Sequence, residues 1–584
     1  MMKTLVRTAW LAAALNVCLH AALTIMPLKE VQAGMHGIGK TVFAGDRIED
    51  FQVEILGILR NTGPKESLIL ARLSGGPLEH TGVMQGMSGS PVYIDGKLIG
   101  AVAMAFPFAK DPIAGIRPIE EMLAVDLLPD ARRISPRRDI ASLLPAPDKP
   151  VAAEGRMTDV ATPISLGGFT SAAVDRFAPG MRALGLEPRQ SLSLGGGAPE
   201  KMGDPSKLKP GSMISVQLMT GDMSVGADGT LTCIDGERVY AFGHRFLAIG
   251  PTELPFTRSE VMTLLANVNT SFKISASQEL MGVISQDRNT AITGSLGRQA
   301  AMLPLDIEVA QQSGSAFKDI DTYRMNMVND RFLSPFLLQM AVFSAIDATE
   351  RATGAASISV RGSIEFENRK EAVSLRNIYA ADSGAAMLAA TQTAVPLSYL
   401  MQGGFDALKV RRISLRLESS NTKKDLAIGQ VYLSRREAKP GETVELMTML
   451  EGENGVEVTK SVKYTIPPGT APGTLFFTIA DGAQTSLAEL RQIILETPTS
   501  PEQMISTVNR LRPSDKTYIR VWRADPAYAV EGEELPDPPP SLALVLGTTQ
   551  TVSQNRNSKI GEIVIDTGDT MVTGTKTVQL EVKE

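Results

Sequence analysis

Gly86-Met87-Ser88-Gly89-Ser90-Pro91 runs into Val92 to Ile94, an Asp95-Gly96 turn and Lys97 to Val102. The architecture starts to show here. Two apolar runs rich in β-branched residues, joined by an Asp-Gly dipeptide, read as a tight antiparallel hairpin. The serine ahead of it lies between glycines. A strained glycine turn can expose a serine Oγ and let the backbone N–H groups of Gly86 and Ser88 converge on one point, which is what an oxyanion hole requires.

The same pattern spreads outward. Thr41 to Phe43, Phe51 to Leu59 and Ser67 to Leu73 read as strands before the serine, and Ile119 to Leu128 reads as a closing helix. Strands return over Met213 to Met219, Gly229 to Ile234 and Arg238 to Phe242, with Asp228-Gly229 and Asp235-Gly236 as turn dipeptides. Ser259 to Asn267, Ser334 to Ala348 and Ala380 to Ala390 read as helices. Residues 425–480 read as a β-sandwich module, followed by helices at Ser486 to Glu496 and Pro501 to Leu511. The chain of 584 residues, with 51 glycines and 35 prolines, is therefore mainly β.

Composition excludes several classes. Apolar residues make 43% and charged residues 21%, enough to bury large cores. The net charge of -6 leaves no basic excess for a phosphate backbone, and 5% aromatics leave few stacking platforms, so no nucleic-acid partner is expected. Lys3 and Arg7 precede an apolar stretch from Trp10 to Leu28, and Val31-Gln32-Ala33 offers a small-residue cleavage site. Residues 1–33 thus read as a secretory signal, and an uncleaved N-terminal segment is the one membrane tether the sequence offers. The chain is therefore expected to be exported: periplasmic, or cell-surface or extracellular, in a bacterium. Past Ala33 the only cysteine is Cys233, which reads as a buried small hydrophobe.

Gly34-Met35-His36-Gly37-Ile38-Gly39-Lys40-Thr41 satisfies the phosphate-loop pattern. That loop works only between a buried strand and a helix. Here the export signal precedes it and a β-like run follows, so no nucleotide is expected. No metal-ligand spacing and no cofactor motif appears.

A serine needs a base to act as a nucleophile. His36 and His80 sit in settings typical of mobile or exposed residues. His244, in Ala241-Phe242-Gly243-His244, follows a strand and is well placed to face a cleft.

Thr81 to Pro91 and Gly96 to Val102 resemble the serine motif of the SpoIVB-type sporulation peptidases. Gly229 to Thr232 and Phe242-Gly243-His244 resemble that family's histidine segment. The resemblance covers about residues 34–300. It implies a trypsin-like double β-barrel, with Ser88 as nucleophile and His244 as general base. The family's order is histidine then serine, so the halves here read as circularly permuted. The family's acid upstream of the serine falls near Ser74, which is not acidic. Asp287, 43 residues after His244 and near the trypsin-like histidine-to-aspartate spacing, is the acid selected. Asp46, Asp50 and Glu253 stand as alternatives, as does a Ser–His dyad with no acid.

The expected division is 1–33 signal, 34–128 serine-bearing barrel half, 129–210 connection, 211–300 histidine-bearing barrel half, 301–424 mixed α/β region and 425–584 β-sandwich-like region. The expected activity is that of an exported serine endopeptidase on protein or peptide substrates, through an acyl-enzyme. The competing reading is a catalytically weak peptidase-like scaffold that binds proteins.

Overall fold

The computed structural model describes residues 23–584 except 107–108, 128–156, 191–200, 268–269, 314–315, 350–353, 494–497, 499, 526, 531–532, 537, 549–552 and 556. Most of the expected signal, and part of the expected connection, lie outside the described residues.

The first six strands are β1 (His36–Ala44), β2 (Arg47–Gly63), β3 (Glu66–Ser74), β4 (Pro91–Ile94), β5 (Lys97–Ala105) and β6 (Ile113–Pro118). They pair in the order β4-β1-β2-β3-β6-β5 and back to β4, every pair antiparallel, which closes a barrel. Closure removes the open edges that a flat sheet would leave. Phe51, Val53, Ile55, Ile69, Leu73, Val92 and Val102 fill it. The Asp95-Gly96 dipeptide makes the β4–β5 turn as expected, both residues at positive φ. Helix α1 (Leu78–Thr81) leads toward the serine turn, and α2 (Ile119–Leu123) closes the unit.

The segment before β1 packs on this barrel. Ile25 bridges Leu98, the Met26 N–H donates to the Leu98 carbonyl, and Met26 and Val31 are buried in the barrel core. From outside the strands, these two side chains add to the barrel core.

The described parts of 129–210 are ordered structure. Strand β7 (Thr158–Asp159) pairs with β5, and β8 (Thr162–Gly167) runs parallel to β9 (Leu186–Gln190). Between them lies α3 (Ser171–Ala183), capped by the Thr170 hydroxyl accepting from the Ala173 N–H.

The second ring comprises β10 (Met213–Gly221), β11 (Ser224–Asp235), β12 (Arg238–Ala241), β13 (Gly250–Leu265), β14 (Phe272–Asp287) and β15 (Ile292–Leu296). The order β10-β13-β14-β15-β12-β11 returns to β10, again all antiparallel. Two expectations fail here. Ser259 to Asn267 is not a helix: 259–265 continue β13, paired along their length with β14. Asp228-Gly229 is not a turn but the middle of β11. Gly229 is required because a Cβ there would lie 2.3 Å from the Phe242 ring.

The sheet continues beyond this ring through β16 (Met302–Ser313) and β17 (Ala316–Val328). Next come α4 (Leu333–Thr349), β18 (Ala356–Phe366), β19 (Val373–Ala381), α5 (Ala385–Gln402) and β20 (Val410–Ser420). The helix expected over Ala380 to Ala390 starts instead at Ala385, after β19 ends. The buried side chains of α4 and α5 join the core of the second barrel. From Asp425 onward two sheets face each other, with Ile428, Leu446 and Leu450 of one packing on Phe477, Ile479, Ile519 and Leu580 of the other. This is the expected sandwich. The chain is thus mainly β: two closed six-stranded antiparallel barrels followed by accessory sheets.

Candidate active site

The turn bearing Ser88 is held carbonyl by carbonyl. The Gln85 carbonyl accepts from the Lys273 N–H at 3.2 Å, and the Gly86 carbonyl from the Thr230 hydroxyl at 2.8 Å. The Met87 carbonyl accepts from the Ser90 N–H at 2.9 Å, and the Ser88 carbonyl from the Thr230 N–H at 2.8 Å. In a trans peptide the C=O and N–H point opposite ways. Fixing the Gln85 and Met87 carbonyls therefore aims the Gly86 and Ser88 N–H groups away from those partners. Neither N–H has a hydrogen-bond partner among the described residues. Gly86 and Gly89 both take positive φ, 90° and 91°, which the turn demands and glycine supplies at low cost.

The second barrel brings Phe242, at the end of β12 and two residues before His244, to this turn. Phe242 and Gly243 are both left-handed, at φ 69° and 71°, and swing the chain out of β12 toward the first barrel. For Phe242 that conformation is strained. A Cβ on Gly89 would fall 2.0 Å from the Thr230 carbonyl and 2.5 Å from the Phe242 nitrogen. Backbone thus meets backbone where the two barrels join. Arg117, on β6 and only 3% exposed, ties the histidine loop from the other side. Its Nε donates to the Gly243 carbonyl at 3.4 Å, and its Nη1 pairs with Glu66 and Glu121.

Ser88 and His244 are 0% and 2% exposed, and Ser88 Oγ and His244 Nε2 have no hydrogen-bond partner among the described residues. His244 Nδ1 lies 2.6 Å from the Arg245 carbonyl. A carbonyl can only accept, so Nδ1 carries the proton and Nε2 is left as the basic nitrogen. Burial pushes the imidazole below its ordinary value, opposed mainly by the charge of Asp159. It is neutral near pH 7, the form a base requires.

Asp287 does not reach His244. Its carboxylate accepts from the Phe246, Leu247 and Ile249 N–H groups at 2.8, 2.7 and 3.3 Å. Burial pushes its carboxyl up while those N–H groups pull it down. A carboxylate saturated by backbone donors supports the loop after the histidine and does not orient the ring. The alternatives are elsewhere too: Asp46 pairs with Arg258, Asp50 with Lys40, and Glu253 is exposed. The acid whose charge reaches His244 is Asp159 on β7, which also faces Arg245 at 3.8 Å. No motif marks it; only the pairing of β7 with β5 brings it there.

His36 and His80 are exposed. Gly34 to Thr41 runs into β1 with no helix after it. Cys233 is buried and its thiol is pushed up to about 12, chiefly by burial. Among the described residues no cluster of His, Cys, Asp or Glu has the makings of a metal site, and no helix is long and apolar enough to cross a membrane.

A family model described as SpoIVB peptidase S55 matches residues 11–123. That span contains the whole first barrel and Ser88, and stops short of His244. The serine-bearing part of the chain is therefore similar to SpoIVB peptidases. No curated protein and no solved structure matches the chain.

Proposed function

We propose that the protein is an exported bacterial serine endopeptidase in which Ser88 is the nucleophile and His244 its base. One observation carries this reading. Where two six-stranded barrels join, the serine turn keeps two N–H groups without hydrogen-bond partners among the described residues, and the loop after β12 carries a histidine whose Nε2 is likewise unengaged. In the reaction Ser88 Oγ attacks a peptide carbonyl carbon and its proton passes to Nε2. The carbonyl oxygen becomes an oxyanion facing the Gly86 and Ser88 N–H groups. The C–N bond then breaks, the proton moves to the leaving amine, and water hydrolyses the ester. The Arg245 carbonyl performs the tautomer-fixing task usually given to an acid. Export rests on the N-terminal basic and apolar pattern. The order of the two barrels in the chain supports a permuted relation to the SpoIVB type.

A second reading is favoured by the burial of Ser88 Oγ and His244 Nε2, which are not bonded to each other. In it the chain is a peptidase-like scaffold that binds proteins. A fluorophosphonate probe separates the two. Labelling of the folded protein, lost in Ser88→Ala and in His244→Ala, establishes the activated serine. A folded parent that takes no label supports the scaffold. Label persisting in Ser88→Ala removes Ser88 as nucleophile.

A further inference from the structure

Behind the serine turn lies a lysine that the reaction above does not use. Lys273, near the start of β14, is 2% exposed, and its Nζ donates to the Thr41 hydroxyl of β1 at 2.7 Å. No carboxylate pairs with it among the described residues, and burial alone pushes its amine down to about 7. Burying a lysine amine without a counter-ion is costly, and a hydrogen bond offsets part of that cost. The Thr41 hydroxyl also accepts from Ser90 Oγ at 3.0 Å. Ser90 Oγ lies 3.5 Å from the Thr230 hydroxyl, which donates to the Gly86 carbonyl. One connected set of polar groups thus runs from the lysine to the peptide after Gly86. The backbone of the same lysine holds the peptide before it, through the Gln85 carbonyl. Thr41 belongs to the first barrel, Lys273 and Thr230 to the second.

We propose that Lys273 is a positioning residue of this site: its amine locks β14 to β1 across the barrel junction and so keeps the Gly86 N–H aimed at the oxyanion position. The inference rests on the peptidase reading. Lys273 touches neither substrate nor nucleophile, and acts through the turn. Its methylenes also pack under Gly86, where a Cβ would come within 3.3 Å of Lys273 Cδ.

The test is the rate of fluorophosphonate labelling of Ser88 in four proteins: the parent, Lys273→Met, Thr41→Val and Thr41→Ser. Lys273→Met keeps the backbone N–H and the packing but loses the amine. Losing one oxyanion-hole donor costs on the order of a hundredfold in rate, and misaiming it a large part of that. Lys273→Met and Thr41→Val should each label at least roughly tenfold more slowly than the parent, while Thr41→Ser, which keeps the hydroxyl, labels at the parent's rate. The combined Lys273→Met/Thr41→Val variant should be no slower than either alone. Melting curves show which variants are folded; should Lys273→Met fail to fold, the Thr41→Val and Thr41→Ser pair decides. Labelling of folded Lys273→Met or Thr41→Val at the parent's rate overturns the proposal, as does equal slowing in Thr41→Ser. A folded parent that takes no label overturns the peptidase reading and this proposal with it.

Discussion

Gly89 sits where the two barrels meet backbone to backbone. Its φ of 91° is unfavourable for any side chain, and a Cβ there would lie 2.0 Å from a carbonyl oxygen of β11. Backbone on both sides leaves no flexible group to yield. Gly89→Ala should therefore force the junction apart, with a loss of more than about 3 kcal/mol in stability and of Ser88 labelling together. Denaturant unfolding beside the labelling assay checks this, and a stable, fully labelled variant would show that the junction can slide. Asp287 is the converse case. Its spacing from His244 matches a catalytic acid, yet its oxygens face backbone donors.

Among the elements, β11 does the most. It joins β10 and β12 in the ring, pairs outward with β8, and presents Thr230 and Thr232 to the serine turn. It also carries a buried carboxyl. Asp228 accepts from Ser165 at 2.8 Å, and burial pushes it up to about 6. A raised carboxyl favours the folded state while protonated, and that contribution is lost as pH rises from about 4 toward about 6. Across that window the parent should lose about 3 kcal/mol relative to Asp228→Asn, because each pH unit between those two values is worth about 1.4 kcal/mol. Urea unfolding at several pH values reads this, and a constant difference would mean that the serine hydroxyls hold Asp228 charged. Strand β13 shows why local pattern misleads. Residues 259–265 make an acceptable helical window, but their pairing with β14 overrides that weak preference.

For the molecule as a whole, the sandwich from Asp425 onward has its own core, formed among the described residues by positions 426 to 582. Phe477 is fully buried in it. Phe477→Ala should cost about 3–5 kcal/mol in the unfolding of that region. Ser88 labelling at room temperature should stay at the parent's rate, because no residue of the two barrels belongs to that core. Reduced labelling in a variant still folded under those conditions would show that the sandwich supports the junction.

Elements whose physics is local were legible from residue order. Alternating apolar runs marked most strands, Asp95-Gly96 marked a turn that needs two positive φ values, and glycines around Ser88 marked a turn that side chains would forbid. The serine segment could be read from its closely spaced glycines, and the histidine because the sequence has only four histidines. Contacts between distant residues settled the rest. Ring closure joins β1 to β4 and β10 to β11, and Met26 and Val31 enter the first barrel's core from outside its strands. Asp159, Arg117 and Lys273 gain their roles from partners far along the chain, as Lys273 does from Thr41, 232 positions away. No one-dimensional pattern encodes such pairings, since burial and direction, which set a group's chemistry, exist only once the chain has closed on itself.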